Sequence, residues 1–164
     1  MAEHAFTASV MTVSDRCSRG EAVDTSGPAI VEYCQETLGF ETENGGCVPD
    51  EIEAIEALLR ERVAQGADLL LTTGGTGLGP RDNTPEAAMR VIDRPHPQLL
   101  ELARARCLAA APRAYLSRGV SGLAGRSLIV TLPGSKRGAL ETLGAVADVL
   151  PHALAMIRGG DHPR

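Results

Sequence analysis

Aromatic side chains are nearly missing from this sequence. Two phenylalanines, two tyrosines and no tryptophan make up 2% of its 164 residues. Single-stranded nucleic acid binds on rows of aromatic faces, and this chain has no such row. Positive charge is also scarce: 16 lysines and arginines face 21 aspartates and glutamates, a net charge of −5. That balance argues against general affinity for nucleic acid backbones and leaves an anion site to a local cluster of cations. No apolar run approaches the ~20 residues that span a bilayer, and residues 1–15 lack the basic start and long apolar stretch of a secretion signal. The four cysteines, Cys17, Cys34, Cys47 and Cys107, are too far apart for the short spacings of a zinc site. His4, His96, His152 and His162 add no metal spacing. A cytoplasmic protein with reduced thiols, no membrane and no nucleic acid partner is expected.

What is present is aliphatic and rich in turns, with 18 glycines and 10 prolines. Residues 6–13 are apolar and β-branched, as in a buried strand, and a polar loop is expected over 14–25. Ser26 is placed to cap a helix over 26–38, with Pro28 in its first turn. Residues 40–48 read as a more polar strand near an edge. Asp50 stands where an N-cap would open a helix to about residue 64, and Gly66 ends it. Residues 68–72 and 127–132 are short continuous apolar runs of the kind buried on both faces of a sheet. Thr84 and Pro85 read as cap and first position of another helix, which Pro95 and Pro97 interrupt. A helix follows over 98–110, then a loop-like stretch with a short strand over 114–125. Two helices over 138–150 and 151–158 close a single domain of residues 1–158, with a tail over 159–164. Strands alternating with helices predict an α/β sandwich around a mostly parallel sheet.

In such sheets ligands bind beyond the carboxyl ends of the strands. Those ends carry Ser14-Asp15-Arg16, then residues 74–82, then Gly134-Ser135-Lys136-Arg137. Arg16, Arg19, Arg81, Lys136 and Arg137 are therefore expected to gather near one edge. Gly74-Gly75-Thr76-Gly77 after a buried strand can be a phosphate cradle or simply a tight turn. It is neither a P-loop, since Pro80-Arg81 follows Gly79, nor a dinucleotide fingerprint, since Pro80 stands where a glycine belongs. Asp82 can hold Mg²⁺ against a phosphate or act as a turn aspartate. For Asp50 the N-cap is the better reading from local sequence, though an N-cap at the sheet edge can also serve a site. Gly119-Val120-Ser121-Gly122-Leu123 lacks the last glycine of a hydrolase elbow.

Taken together, these segments resemble the molybdopterin adenylyltransferases of molybdenum cofactor synthesis, which share their fold with the gephyrin N-terminal domain. The matching strings are Thr12-Val13-Ser14-Asp15-Arg16, Asp24-Thr25-Ser26-Gly27-Pro28, Val48-Pro49-Asp50-Glu51 and Thr72-Thr73-Gly74-Gly75-Thr76-Gly77. Pro80-Arg81-Asp82, Thr84-Pro85-Glu86-Ala87, Leu116-Ser117-Arg118, Leu132-Pro133-Gly134-Ser135 and Leu150-Pro151-His152-Ala153 follow in family order. The resemblance implies a three-layer α/β/α sandwich, the molybdopterin-binding fold, assembled as a homotrimer. It also implies transfer of AMP from Mg²⁺-ATP to molybdopterin, releasing pyrophosphate, with other cofactor-synthesis proteins as possible partners. It turns Asp50 and Asp82 into catalytic and metal-holding residues. Gly74, Gly75, Thr76 and Gly77 would face phosphates, with Arg81 and Thr84 close by. Pro133, Gly134, Ser135 and Lys136 would form another wall of the nucleotide site, with Ser14, Asp15, Arg16, Ser117 and Arg118 on the pterin side. Asn83, Gln98 and Thr131 depart from the family's usual Val, Gly and Asn. A non-catalytic molybdopterin carrier or scaffold is the alternative. Scarce aromatics add one expectation: two flat rings held with hardly any aromatic stacking.

Overall fold

The computed structural model describes residues 5–159; His4, His162 and residues 160–164 of the expected tail lie outside the described residues. Six strands among these form one mixed sheet in the order β2-β1-β3-β6-β5-β4. They are β1 (Thr7–Val13), β2 (Glu41–Val48), β3 (Leu69–Thr73), β4 (Arg94–Pro95), β5 (Ser121–Ala124) and β6 (Ser127–Leu132). β2, β1, β3 and β6 pair in parallel, whereas β5 is antiparallel to both its neighbours. Only Gly125 and Arg126 separate β5 from β6. Two residues close a hairpin but cannot supply the crossover that a parallel pair needs, and Gly125 takes the positive φ of 57° that such a turn requires.

The helices are α1 (Asp15–Ser18), α2 (Ser26–Glu36), α3 (Ile52–Gln65), α4 (Thr84–Met89), α5 (Gln98–Cys107), α6 (Lys136–Gly144) and α7 (Leu150–Ile157), with a 3-10 turn at Pro112–Leu116. Alternation along the strands sorts them into two layers. Leu69, Leu71, Leu128, Val130 and Leu132 face one side and pack with Ile30 of α2, Leu99 and Ala103 of α5, Leu143 of α6 and Leu154 of α7. Leu70, Ile129, Met11 and Val13 face the other side and meet Ile55 and Leu59 of α3 and Ala87 and Ala88 of α4. This is the expected α/β/α sandwich. The continuous apolar runs are central strands for this reason: their residues are buried on both faces. β2 lies at the sheet edge, as its polar composition predicts, with Glu41, Glu43 and Asn44 exposed. No helix among the described residues is long and apolar enough to cross a membrane.

Several readings of the chain change. The helix opened at Thr84 ends at Met89, ahead of the two prolines, and Arg94–Pro95 form the edge strand β4. Residues 14–25 are not all loop: Ser14 accepts a hydrogen bond from the Cys17 N–H and caps the single turn of α1. The last helices also start earlier than expected: α6 starts at Lys136 directly after its cap and ends at Gly144, short of the expected 150, and α7 starts at Leu150. The order β2-β1-β3 puts the reversal of strand order between β1 and β3. α2 crosses on one face and α3 on the other, so a crevice opens beyond Val13 and Thr73.

The opposite end of the sheet is tied shut. The Arg158 guanidinium donates to both oxygens of Asp68 at 2.6 and 2.8 Å and lies 4.4 Å from the Phe6 ring centre. Phe6 in turn meets Phe40 edge-on at 5.5 Å. Asp68 also accepts from the Thr7 N–H and hydroxyl at 2.8 and 2.9 Å. Burial pushes the Asp68 carboxyl up, but the Arg158 and Thr7 donors outweigh it and hold the group below its usual range. A depressed carboxyl stabilises the fold above its unfolded pKa and loses that contribution as pH falls. The stability difference between the parent and Asp68→Asn should be flat above about pH 5 and shrink on acidification through pH ~4, measured by urea unfolding across pH. A difference that grows toward acid would contradict the assignment.

Candidate active site

Three loops meet at the carboxyl edge of the sheet, and glycines set how closely. Gly74 has φ 108°, and a Cβ there would run into the Val13 carbonyl oxygen. On its other side Gly134 approaches so near that its own Cβ would stand 3.2 Å from the Gly74 Cα. Hydrogen bonds fasten these contacts. The Gly74 N–H donates to Leu132 O at 3.2 Å, the Thr73 hydroxyl to Pro133 O at 2.7 Å, and the Ser26 hydroxyl to Gly134 O at 2.9 Å. Thr84 closes the far side of the turn: its hydroxyl donates to Gly74 O at 2.9 Å and its N–H to Gly75 O at 3.0 Å. Neither Ser26 nor Thr84 is therefore the helix cap that local sequence predicts. Asp24 does that task for α2, accepting from the Gly27 N–H at 3.0 Å while also taking the Thr12 hydroxyl at 2.6 Å. Ser135 does cap α6, accepting from the Gly138 N–H at 3.1 Å.

Asp50 is not a cap either. The residue preceding α3 is Glu51, which makes no side-chain cap bond. The Asp50 carboxylate instead accepts from the Asp15 N–H at 2.9 Å, and the Asp50 N–H donates back to the Asp15 carboxylate at 3.0 Å. Arg81 forks onto that same Asp15 carboxylate, Nε at 2.6 Å and Nη2 at 2.9 Å. The fork of Arg81, helped by the Asp50 N–H, holds the Asp15 carboxyl below its usual range. Burial pushes Asp50 up, with the charges of Asp15 and Asp82 adding to the rise. Asp50 lies behind Gly75, where a Cβ would come 3.0 Å from its Oδ1. Asp82 sits in a turn of its own, with Oδ2 accepting from the Gly79 N–H at 2.8 Å. It is thus a turn aspartate and a wall of the cavity at once.

The cavity at this edge has a volume of about 640 Å³, within the size range of small-molecule sites. Of the residues singled out by sequence, Gly75, Thr76, Gly77, Asp82, Ser117, Pro133, Gly134 and Ser135 line it. Gly74 belongs to the glycine turn without lining the cavity, and Asp50 and Thr84 stand behind that turn. Asp15 and Arg81 are joined to Asp50. Ser14 caps α1, and Arg16 and Lys136 are exposed. Arg118 braces the loop from outside the lining: Nε donates to Gly77 O at 2.9 Å, Nη2 to Asp82 O at 2.6 Å, and the guanidinium pairs with Glu86. Ser117 reaches the Thr76 hydroxyl at 3.1 Å.

The cations do not all gather as expected. Arg19 pairs with Glu21 and Arg81 with Asp15, while Arg137 lines the cavity paired with Glu141. Sequence reasoning missed the opposite wall, made by the end of α5 and the 3-10 turn, with Arg113, Ala111 and Leu116 among its residues. The stretch Ala110-Ala111-Pro112-Arg113-Ala114 carries no local signal of a site; only the adjoining Leu116-Ser117-Arg118 string does. No aromatic residue among those described lines the cavity, and Tyr115 is 52% exposed.

Comparison with known proteins identifies the family. Residues 9–152 match the family described as "Probable molybdopterin binding domain". A molybdenum cofactor biosynthesis bifunctional protein of Synechococcus elongatus is 39% identical over 155 residues, covering 94% of this chain and 48% of its own. The chain thus spans about half the length of that relative. A molybdopterin adenylyltransferase of Helicobacter pylori is 39% identical over 92% of this chain and 86% of its own. Among solved structures, the molybdopterin biosynthesis enzyme MoaB of Thermus thermophilus superposes with a TM-score of 0.86 at 48% identity, covering 94% of this chain and 97% of that one. Matched from β1 into α7 and alike in fold, the chain belongs to the molybdopterin-binding domain family of molybdenum cofactor biosynthesis.

Proposed function

We propose that the protein adenylylates molybdopterin. The terminal phosphate of molybdopterin attacks the α-phosphorus of ATP, a new P–O bond forms, the bond to the β-phosphate bridging oxygen breaks, and pyrophosphate leaves. Such transfers depend on positioning and charge neutralisation more than on covalent help from the protein. The single observation that carries this reading is the wall formed by Gly75, Thr76, Gly77 and Asp82 on one cavity, with the Asp50 carboxylate directly behind Gly75. Backbone N–H groups of the glycine turn suit phosphate oxygens. Gly134 and Ser135 supply the facing wall, Lys136 stands beside them, and Ser117 and the 3-10 turn border the pterin side. In the absence of any aromatic wall the rings lie against aliphatic side chains and peptide planes.

A divalent cation fits the donor set in a particular way. No group of three or more His, Cys, Asp or Glu among the described residues could hold a metal unaided. Asp50 and Asp82 each engage a backbone N–H through Oδ2, leaving each Oδ1 for another partner. Mg²⁺ characteristically takes one or two carboxylates and completes its shell with phosphate oxygens and water, so Asp50 and Asp82 would hold an ion that arrives with the triphosphate. When bound, Mg²⁺ supplies neutralisation of polyphosphate charge. A homotrimer in the cytoplasm belongs to the same reading. The exposed apolar Leu108, Tyr115 and Leu116 support assembly, which light scattering at three times the monomer mass would verify.

Pyrophosphate release should require both ATP and molybdopterin. Release indifferent to the pterin would overturn the reading, and bound pterin with no release would favour a carrier. Asp82→Asn should fold and assemble like the parent yet release pyrophosphate at least about 100-fold more slowly. Asp50→Ser should keep unfolding stability within about 1 kcal/mol, because its side chain does not cap α3 and gives up one bond, from the Asp15 N–H, and should lose turnover to a similar degree. Parent-like rates in both variants would exclude the two carboxylates from the reaction.

A further inference from the structure

Asp82 is flanked in sequence by two residues whose side chains reach to the loops carrying Asp15 and Asp50. Arg81 forks onto Asp15, and the Asn83 amide donates to Asp50 O at 3.1 Å. Asp15 and Asp50 are in turn joined by reciprocal backbone-to-carboxylate bonds. The two carboxylates assigned to the metal come from different loops, Asp50 from the β2–α3 connection and Asp82 from the β3–α4 connection. Nothing within either loop fixes their separation. Bonds from Arg81 and Asn83 tie them together across the crevice.

We propose that Asp15 and Arg81 are positioning residues that hold Asp50 in register with Asp82 and make no contact with either substrate. This inference rests on the roles given to Asp50 and Asp82 above. Four observations carry it. Both oxygens of Asp15 are already taken, by Arg81 and by the Asp50 N–H, so the carboxylate has a donor on each oxygen. Both nitrogens of the Arg81 fork face Asp15 and not the cavity, and neither residue lines that cavity. The Asp15 N–H is itself a ligand of the Asp50 carboxylate, so movement of Asp15 moves Asp50 directly. Asn83, on the other side of Asp82, bonds the Asp50 backbone and not its carboxylate, which stays available. A surface ion pair is ordinarily worth little, and Arg81 is 58% exposed. The consequence of the pair is therefore geometric: displacement of a catalytic group by about 1 Å can cost on the order of 100-fold in rate.

The test is a double-mutant cycle on the full chain with Arg81→Gln, Asp15→Asn and the double variant. Asparagine at position 15 can still accept the Asp50 N–H but cannot hold the guanidinium fork. Each single variant should lower kcat about 10- to 100-fold, and the double should fall no more than about twofold further, because one chain of contacts is broken once. Affinity for metal-free ATP and for molybdopterin, measured by calorimetry, should stay within about twofold of the parent, whereas the gain in ATP affinity on adding Mg²⁺ should be largely lost. Arg81→Lys, which keeps the charge without the fork, should recover only part of the rate. Losses that multiply in the double variant, a drop in metal-free ATP or pterin affinity, or unchanged kcat would each overturn the proposal. If the parent itself releases no pyrophosphate, the functional reading falls instead. The positioning claim is then decided by the crystal structure of Arg81→Gln: an Asp50 carboxylate displaced from the Asp15 N–H upholds it, and one left in place overturns it.

Discussion

A side chain at Gly74 cannot coexist with the end of β1. The residue leaves β3 in a conformation open to glycine, its Cα faces the Val13 carbonyl, and Gly134 packs on its other side. The two parallel strands can therefore bring their following loops into direct contact without intervening side chains. The hydroxyls of Thr73, Ser26 and Thr84 then bond the loop carbonyls that this proximity presents. The cavity, the glycine turn and the placement of Asp82 all depend on that contact. Strands β1 and β3 flank the reversal of strand order, the place where an α/β sheet leaves a crevice.

The electrostatics of this edge differ from a simple basic pocket. Most arginines near it are already matched to carboxylates: Arg81 to Asp15, Arg118 to Glu86 and Arg137 to Glu141. They brace loops and leave the net charge of the region low. Arg113 is the lining cation without a carboxylate partner among the described residues. Under the proposed function, an acidic chain built this way would attract a polyphosphate chiefly through peptide N–H groups and an accompanying cation, with two carboxylates beside the glycine turn. The near absence of aromatics, first a bar to nucleic acid, has a structural counterpart. Phe6 and Phe40 pack on one another at the closed end of the sheet, far from the cavity in fold terms, and Tyr115 stays outside the lining.

Much of the fold was legible because burial imposes simple patterns. The runs at 69–73 and 127–132 are apolar throughout since both faces are covered, and Gly66 ends α3 with the left-handed backbone that glycine favours. The glycine string, read as a phosphate cradle or a tight turn, and Asp82, read as a metal holder or a turn aspartate, drew notice because they follow a buried strand, and Gly75, Thr76, Gly77 and Asp82 line the cavity. Helix starts were harder. Ser26, Asp50 and Thr84 all stand where a cap belongs, and none of their side chains caps the helix that follows it. Each lies at the edge where loops converge, and partners distant in sequence take the hydroxyl or carboxylate first. Ser14 and Ser135 face no such competition and do cap. The wall from Ala110 to Leu116 was illegible for the opposite reason: alanines and a proline acquire meaning only from what packs against them.

The central claim is that this edge holds a triphosphate between the glycine turn and the aspartates. A crystal structure with Mg²⁺ and a non-hydrolysable ATP analogue tests it most directly. The account predicts phosphate oxygens on the N–H groups of Gly75, Thr76 or Gly77, with the ion bridging them to Asp82 and Asp50. A triphosphate bound elsewhere, or an ion touching neither carboxylate, would contradict it.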